Sequence, residues 1–142
     1  IGHGVRLVED IMFSRTDGDT DLVVLGPAAQ WVHDRQIALE VSPSSNLQTG
    51  SFSILGDTMA DHPIDIMYDL GFNVTVNTDN RLMSSTNLTK ELQILVDTFG
   101  YKLADLEQLQ LNAAEAAFQA VDEREELIEM IEAGFAEANG AE

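Results

Sequence analysis

Asn73-Val-Thr-Val-Asn-Thr-Asp-Asn80 reads as a short β-branched strand that ends in polar side chains. Val74, Thr75 and Val76 favour an extended, buried segment, while Asn77, Thr78, Asp79 and Asn80 set donors and acceptors just past its carboxyl end. Two more strand-like pieces end the same way, Ile1-Gly-His-Gly4 and Ala38-Leu-Glu-Val-Ser-Pro-Ser-Ser-Asn46. Polar side chains gathered at the carboxyl ends of strands mark the face where α/β barrels hold their active sites.

Working outward, Gly71 is expected to end a short helix running from Pro63 to Leu70, with Phe72 leading into the strand. Ile37 to Val41 predicts the preceding strand, and Gly26-Pro27 the start of a helix through Trp31 and Val32 to about Gln36. Val5 to Phe13 has helical spacing, and the stretch Ser14 to Thr20, with Gly18, has the chemistry of an exposed loop. Leu47 to Thr58, rich in Gly, Ser and Thr, also reads as loop. The alternation of strand and helix predicts consecutive parallel βα units. Beyond Asn80, a polar loop over Met83 to Asn87 precedes a helix opened by Thr89 and ended at Phe99 by Gly100. Further helices are expected over Leu103 to Ala120 and Glu125 to Ala138.

The 142 residues, 44% of them apolar, suffice for one domain with its own core. No apolar run approaches the ~20 residues that span a bilayer, and the first residues do not read as a signal peptide, so a cytoplasmic protein is expected. With no cysteine, a metal would have to be held by nitrogen and oxygen. Seven basic against 25 acidic residues give a formal charge of −18, which argues against nucleic acid and against an anionic membrane as partners. From Asp105 to Glu142 there are eleven acidic residues and one basic residue, Arg124, which reads as a solvated helical face. The opening at Ile1, inside an apolar strand-like segment and without an initiator methionine, predicts a piece of a longer polypeptide.

Taken in order, Ile1-Gly-His-Gly4, Pro43-Ser-Ser-Asn46 followed by Thr49-Gly50, and Asn77-Thr-Asp79 resemble the late barrel strands of the metal-dependent adenosine deaminase family. The resemblance covers nearly the whole chain. It implies the C-terminal part of a TIM (β/α)8 barrel, with about three parallel βα units over 1–100 and terminal helices over 101–142. It further implies a zinc-dependent hydrolytic deamination of adenosine to inosine and ammonia, with three histidine ligands and a proton-donating glutamate supplied by earlier strands outside this chain. The partners so implied are a purine nucleoside and the missing N-terminal part of the same barrel, without which this piece is expected to be inactive. A noncatalytic barrel remnant, a metal-free binding module, and a deaminase of adenine or another aminopurine are the alternatives.

By the same resemblance Asp79 is a zinc ligand, against the plainer reading of an Asx turn after a strand. His3 is then a catalytic histidine that stabilises charge on the attacking hydroxide and the developing oxyanion, against a buried structural imidazole. Asn80 stands where many family members have a second aspartate contacting purine N7, and Arg81 where they have proline; the Asn80 amide can still donate to a ring nitrogen. Ser44, Ser45 and Asn46 read chiefly as scaffold that ties its loop through short side-chain to backbone bonds. His62 reads as structural at a helix start and His33 as solvent-facing. Nothing in the spacing of His3, His62 and Asp79 supports a zinc site made of those three alone. The sequons at Asn73 and Asn87 read as coincidental.

Overall fold

The computed structural model describes residues 1–18 and 20–140. After Gly2 the chain makes a 3-10 turn (Val5–Asp10) and an antiparallel hairpin, β1 (Ile11–Asp17) and β2 (Thr20–Leu25). There follow α1 (Pro27–Asp34), β3 (Leu39–Val41), α2 (Pro43–Thr49), α3 (Ile64–Asp69), β4 (Val74–Val76), α4 (Leu88–Phe99), α5 (Leu103–Glu115) and α6 (Val121–Gly140).

β3 pairs in parallel with β4, Leu39 opposite Val74 and Val41 opposite Val76. On the other edge of β3, Gly2 makes a parallel bridge to Glu40, closed by His3 N–H to Glu40 O (3.0 Å) and Glu40 N–H to Ile1 O (2.9 Å). Three parallel segments therefore lie side by side with β3 in the middle, as the alternation of elements predicts. Leu39, Val41, Val74 and Val76 are buried and pack with Ile64, Met67, Leu95 and Leu109 from the helices. Each such side chain withdrawn from water contributes about 1.5–3 kcal/mol, and this layer is the main source of cohesion. Among the described residues no helix is long and apolar enough to cross a membrane.

Several local expectations are corrected. Val5 and Val8 are buried at helical spacing, but the helix is 3-10 and stops at Asp10, and the segment from Ile11 onward is strand. Of the predicted loop from Ser14 to Thr20, Ser14 to Asp17 belongs to β1, Gly18 follows at φ +63°, Thr20 opens β2, and Asp19 lies outside the described residues. Pro43 to Thr49 is helix, with proline in its first turn and Gly50 (φ +64°) as its left-handed end. α4 is capped by Asn87, whose side chain accepts from Lys90 N–H (2.9 Å), two residues before Thr89. α5 stops at Glu115, and α6 begins at Val121, ahead of Glu125.

One long-range cap fixes the entry to α1. Asp10 Oδ2 accepts from Ala28 N–H and Ala29 N–H, each at 2.8 Å, and Asp10 O accepts from Gly26 N–H. The carboxylate sits so close that a Cβ on Gly26 would fall 2.0 Å from Asp10 Oδ1, which is why glycine precedes Pro27. Asp10→Ala is expected to lower stability by about 1–2 kcal/mol, read as a lower urea midpoint at unchanged slope; an unchanged midpoint would show that the cap carries no stability.

Candidate active site

The three strand tips converge. His3 follows the Gly2 bridge and Asp79 lies three residues past β4, both in left-handed backbone, φ 59° and 51°. That conformation is uncommon for residues other than glycine and turns each side chain out of its strand direction. Gly4 (φ +70°) completes the bend after His3, and a Cβ there would meet Leu39 Cδ2 at 2.8 Å. His3 Nε2 lies 3.8 Å from Asp79 Oδ2, beyond hydrogen-bond length, with both side chains half exposed. They share an open cleft of about 500 Å³ with Gly4, Leu39, Ser45 and Asn46. A second cleft, lined by Glu40, Ser42, Asn77 and Thr78, also includes these two residues.

The segment read as scaffold touches both of them directly. Ser45 Oγ donates to Asp79 Oδ2 (2.6 Å), and Asn46 Nδ2 lies 2.9 Å from His3 Nδ1. The expected side-chain to backbone bond is also present, from Ser42 N–H to Asn46 Oδ1 (3.2 Å). These contacts depend on α2, which the sequence reading missed: one turn of helix aims Ser45 and Asn46 back at the tips. The helix start is itself held by a buried carboxylate. Glu91 on α4, fully buried, accepts from Ser44 N–H (2.9 Å) and Thr86 Oγ1 (2.5 Å), joining the segments that follow β3 and β4. Its only sequence signal is a glutamate on the first turn of an amphipathic helix, which reads equally well as solvent-exposed.

Asn80 is exposed, its Oδ1 accepts from Met83 N–H (3.1 Å), and it lines neither of the clefts shared by His3 and Asp79. His62 does start a helix, its Nδ1 accepting from Ile64 N–H (3.0 Å), but it is 3% exposed and its Nε2 lies 3.3 Å from Asn46 Oδ1. His33 is half-buried with its ring edge-on to Phe72, 5.2 Å between centroids, and not simply solvent-facing. Among the described residues no three His, Asp or Glu side chains converge as a metal site. Asp79 nonetheless suits a shared ligand set: Ser45 holds Oδ2, and Oδ1 has no hydrogen-bond partner among the described residues.

A family model described as adenosine deaminase matches residues 1–134. Adenosine deaminase 1 of Streptomyces coelicolor is 46% identical over 138 residues, 96% of this chain and 33% of that protein. Adenosine deaminase of Mycobacterium ulcerans is 47% identical over 137 residues, 96% of this chain and 36% of its own. The chain spans about a third of the length of the curated relatives it matches. Among solved structures, an adenine deaminase from Arthrobacter aurescens superposes with a TM-score of 0.73 at 24% identity, over 92% of this chain and 34% of that one. An amidohydrolase from Burkholderia ambifaria with bound zinc superposes with a TM-score of 0.72 at 23% identity, over 99% and 35%. At these identities the likeness shows the fold, and the three parallel segments are part of an α/β barrel.

Burial gives this cluster an acid response. His62 is pushed down from its usual 6.5 to about 4, because its buried site disfavours the charged ring. Between those values only the unfolded chain takes up the proton, so stability is full above about 6.5 and falls as pH drops toward 4. The slope approaches about 1.4 kcal/mol per pH unit. His62→Gln is expected to flatten the pH dependence of the urea midpoint over that window; parallel curves for the two proteins would remove His62 as its source.

Proposed function

Because this chain belongs to the adenosine deaminase family, we propose that it is the C-terminal portion of a zinc-dependent purine deaminase of the cytoplasm. Residues 1–100 supply the last three βα units of a (β/α)8 barrel and 101–142 its terminal helices. The reaction is hydrolysis of adenosine to inosine and ammonia, within purine metabolism. The observation that carries this reading is the approach of His3 Nε2 to Asp79 Oδ2 across a cleft at the strand ends, with Ser45 holding the carboxylate.

Asp79 would hold the zinc from this portion, its Oδ1 being free of hydrogen bonds among the described residues, while Ser45 engages Oδ2, the oxygen nearer His3. Zinc, when bound, supplies a water that ionises near neutral pH. The relative with bound zinc supports this choice of metal, and the remaining ligands and the proton donor are expected from the preceding strands. His3 presents Nε2 to the negative charge that develops where water adds to the purine C6. Asn80 stands on the adjoining rim, outside the two clefts that His3 and Asp79 share, and with its oxygen engaged by Met83 N–H it has its NH2 group free as a donor for purine N7.

A second substrate, adenine or another aminopurine, is favoured by the departures at Asn80 and Arg81 and by the adenine deaminase among the similar folds. Purified protein bearing this chain is expected to contain zinc by elemental analysis and to release inosine from adenosine. Asp79→Ala should lose the metal. His3→Ala should keep the metal and lower kcat by about 100–1,000-fold. Metal-free protein that deaminates no aminopurine would leave the remnant reading standing, and unaltered zinc content in the Asp79 variant would remove it as a ligand.

A further inference from the structure

Two backbone amides set the polarity of a line of side chains that ends at His3. Ile64 N–H can only donate, and it meets His62 Nδ1 at 3.0 Å, so that nitrogen accepts and the ring hydrogen sits on Nε2. His62 Nε2 faces Asn46 Oδ1 at 3.3 Å, and Ser42 N–H donates to the same oxygen at 3.2 Å. With Oδ1 receiving two donors, Asn46 offers its NH2 group to His3 Nδ1 at 2.9 Å. His3 Nδ1 therefore accepts, and its hydrogen is left on Nε2, the nitrogen that faces Asp79. His62 and Asn46 are 3% and 1% exposed, so water does not compete for these bonds, while His3 is half exposed.

We propose that His62 and Asn46 are positioning residues that hold His3 as its Nε2–H tautomer with the ring turned toward the cleft. This rests on the reading of His3 as an active-site imidazole. It assigns His62, 59 residues along the chain and out of reach of the cleft, an effect on turnover as well as on folding. The reverse tautomer would set an acceptor lone pair toward Asp79 and would leave two N–H groups, from Asn46 and His3, facing each other.

The two functions of His62 can be separated. His62→Asn keeps an acceptor near the Nδ1 position for Ile64 N–H and removes the donor to Asn46. His62→Gln places an amide N–H near the Nε2 position and gives up the bond to Ile64. Both lose the edge contact of the ring with Phe52, 4.7 Å between centroids, so that loss cancels in the comparison. In the protein bearing this chain, H62N is expected to lower kcat by about 10–100-fold with KM little changed, and H62Q to retain most of it.

Asn46→Asp tests the tautomer itself, because a carboxylate only accepts and would draw the His3 hydrogen to Nδ1. Ring nitrogen NMR of the metal-free protein at about pH 8, above the ordinary imidazole range, should show Nε2–H in the parent and Nδ1–H in N46D, with His3 assigned by its loss in a His3→Gln variant. An Nδ1–H ring in the parent, or equal kcat losses in H62N and H62Q, would overturn the proposal. The spectra require no turnover: Nε2–H in a protein that deaminates nothing would count against the deaminase reading and leave the relay intact.

Discussion

Parallel pairing in a fixed register is the constraint on which the rest of this structure depends. Glu40 faces Gly2 on one edge of β3, and Thr75 lies opposite it in β4. Since all three segments run the same way, their carboxyl ends stop at one level, and whatever follows each strand meets there. Ser45 and Asp79, 34 residues apart, hydrogen-bond, as do Asn46 and His3 across 43 residues. A slip of one residue would turn Leu39 and Val41 out of the core and carry the tips apart in the same step. The apolar layer that stabilises the fold thus also locates the polar groups, so packing and chemistry are specified by one interaction.

What the register brings together, buried polar bonds hold in place. Glu91 is fully buried, and both of its carboxyl oxygens have donors, a backbone N–H at the start of α2 and a threonine hydroxyl ahead of α4. The connections after β3 and β4 are thereby joined beneath the cleft. Above them, His3 and Asp79 adopt left-handed backbone, a conformation maintained only where surrounding bonds over-determine it. Asn46 contributes to that by engaging Ser42, His62 and His3 at once. A half-exposed pair of side chains is in this way set on a buried foundation.

Long-period features were legible in the chain, and short ones were not. The apolar runs at β3 and β4, the helices between them and the glycines that end α3 and α4 follow from composition and spacing, because burial on a layered fold imposes them. The hairpin of β1 and β2 was misread. Val5, Val8, Ile11 and Met12 satisfy a helical spacing, while Met12 and Phe13 remain largely exposed, so their pattern does not record a buried strand face. α2 was hidden for a different reason: after Pro43 its residues are Ser, Ser, Asn, Gln and Thr around one leucine, and their polarity serves contacts to other strand tips in place of an apolar stripe. Thr89 was expected to open α4, but the bond from Lys90 N–H makes Asn87, assigned to the preceding loop, its cap.

By itself the amino-acid sequence determined that this chain carries parallel βα units and that His3 and Asp79 stand at the ends of strands. It did so because β-branched runs, glycine placement and strand-tip motifs are local properties, readable one segment at a time. Only the tertiary structure decided that Ser45 would orient Asp79, that Asn46 would orient His3, and that a buried imidazole at position 62 would stand behind them. Those assignments rest on hydrogen bonds between residues far apart in the chain, whose donors and acceptors meet only once the chain is folded.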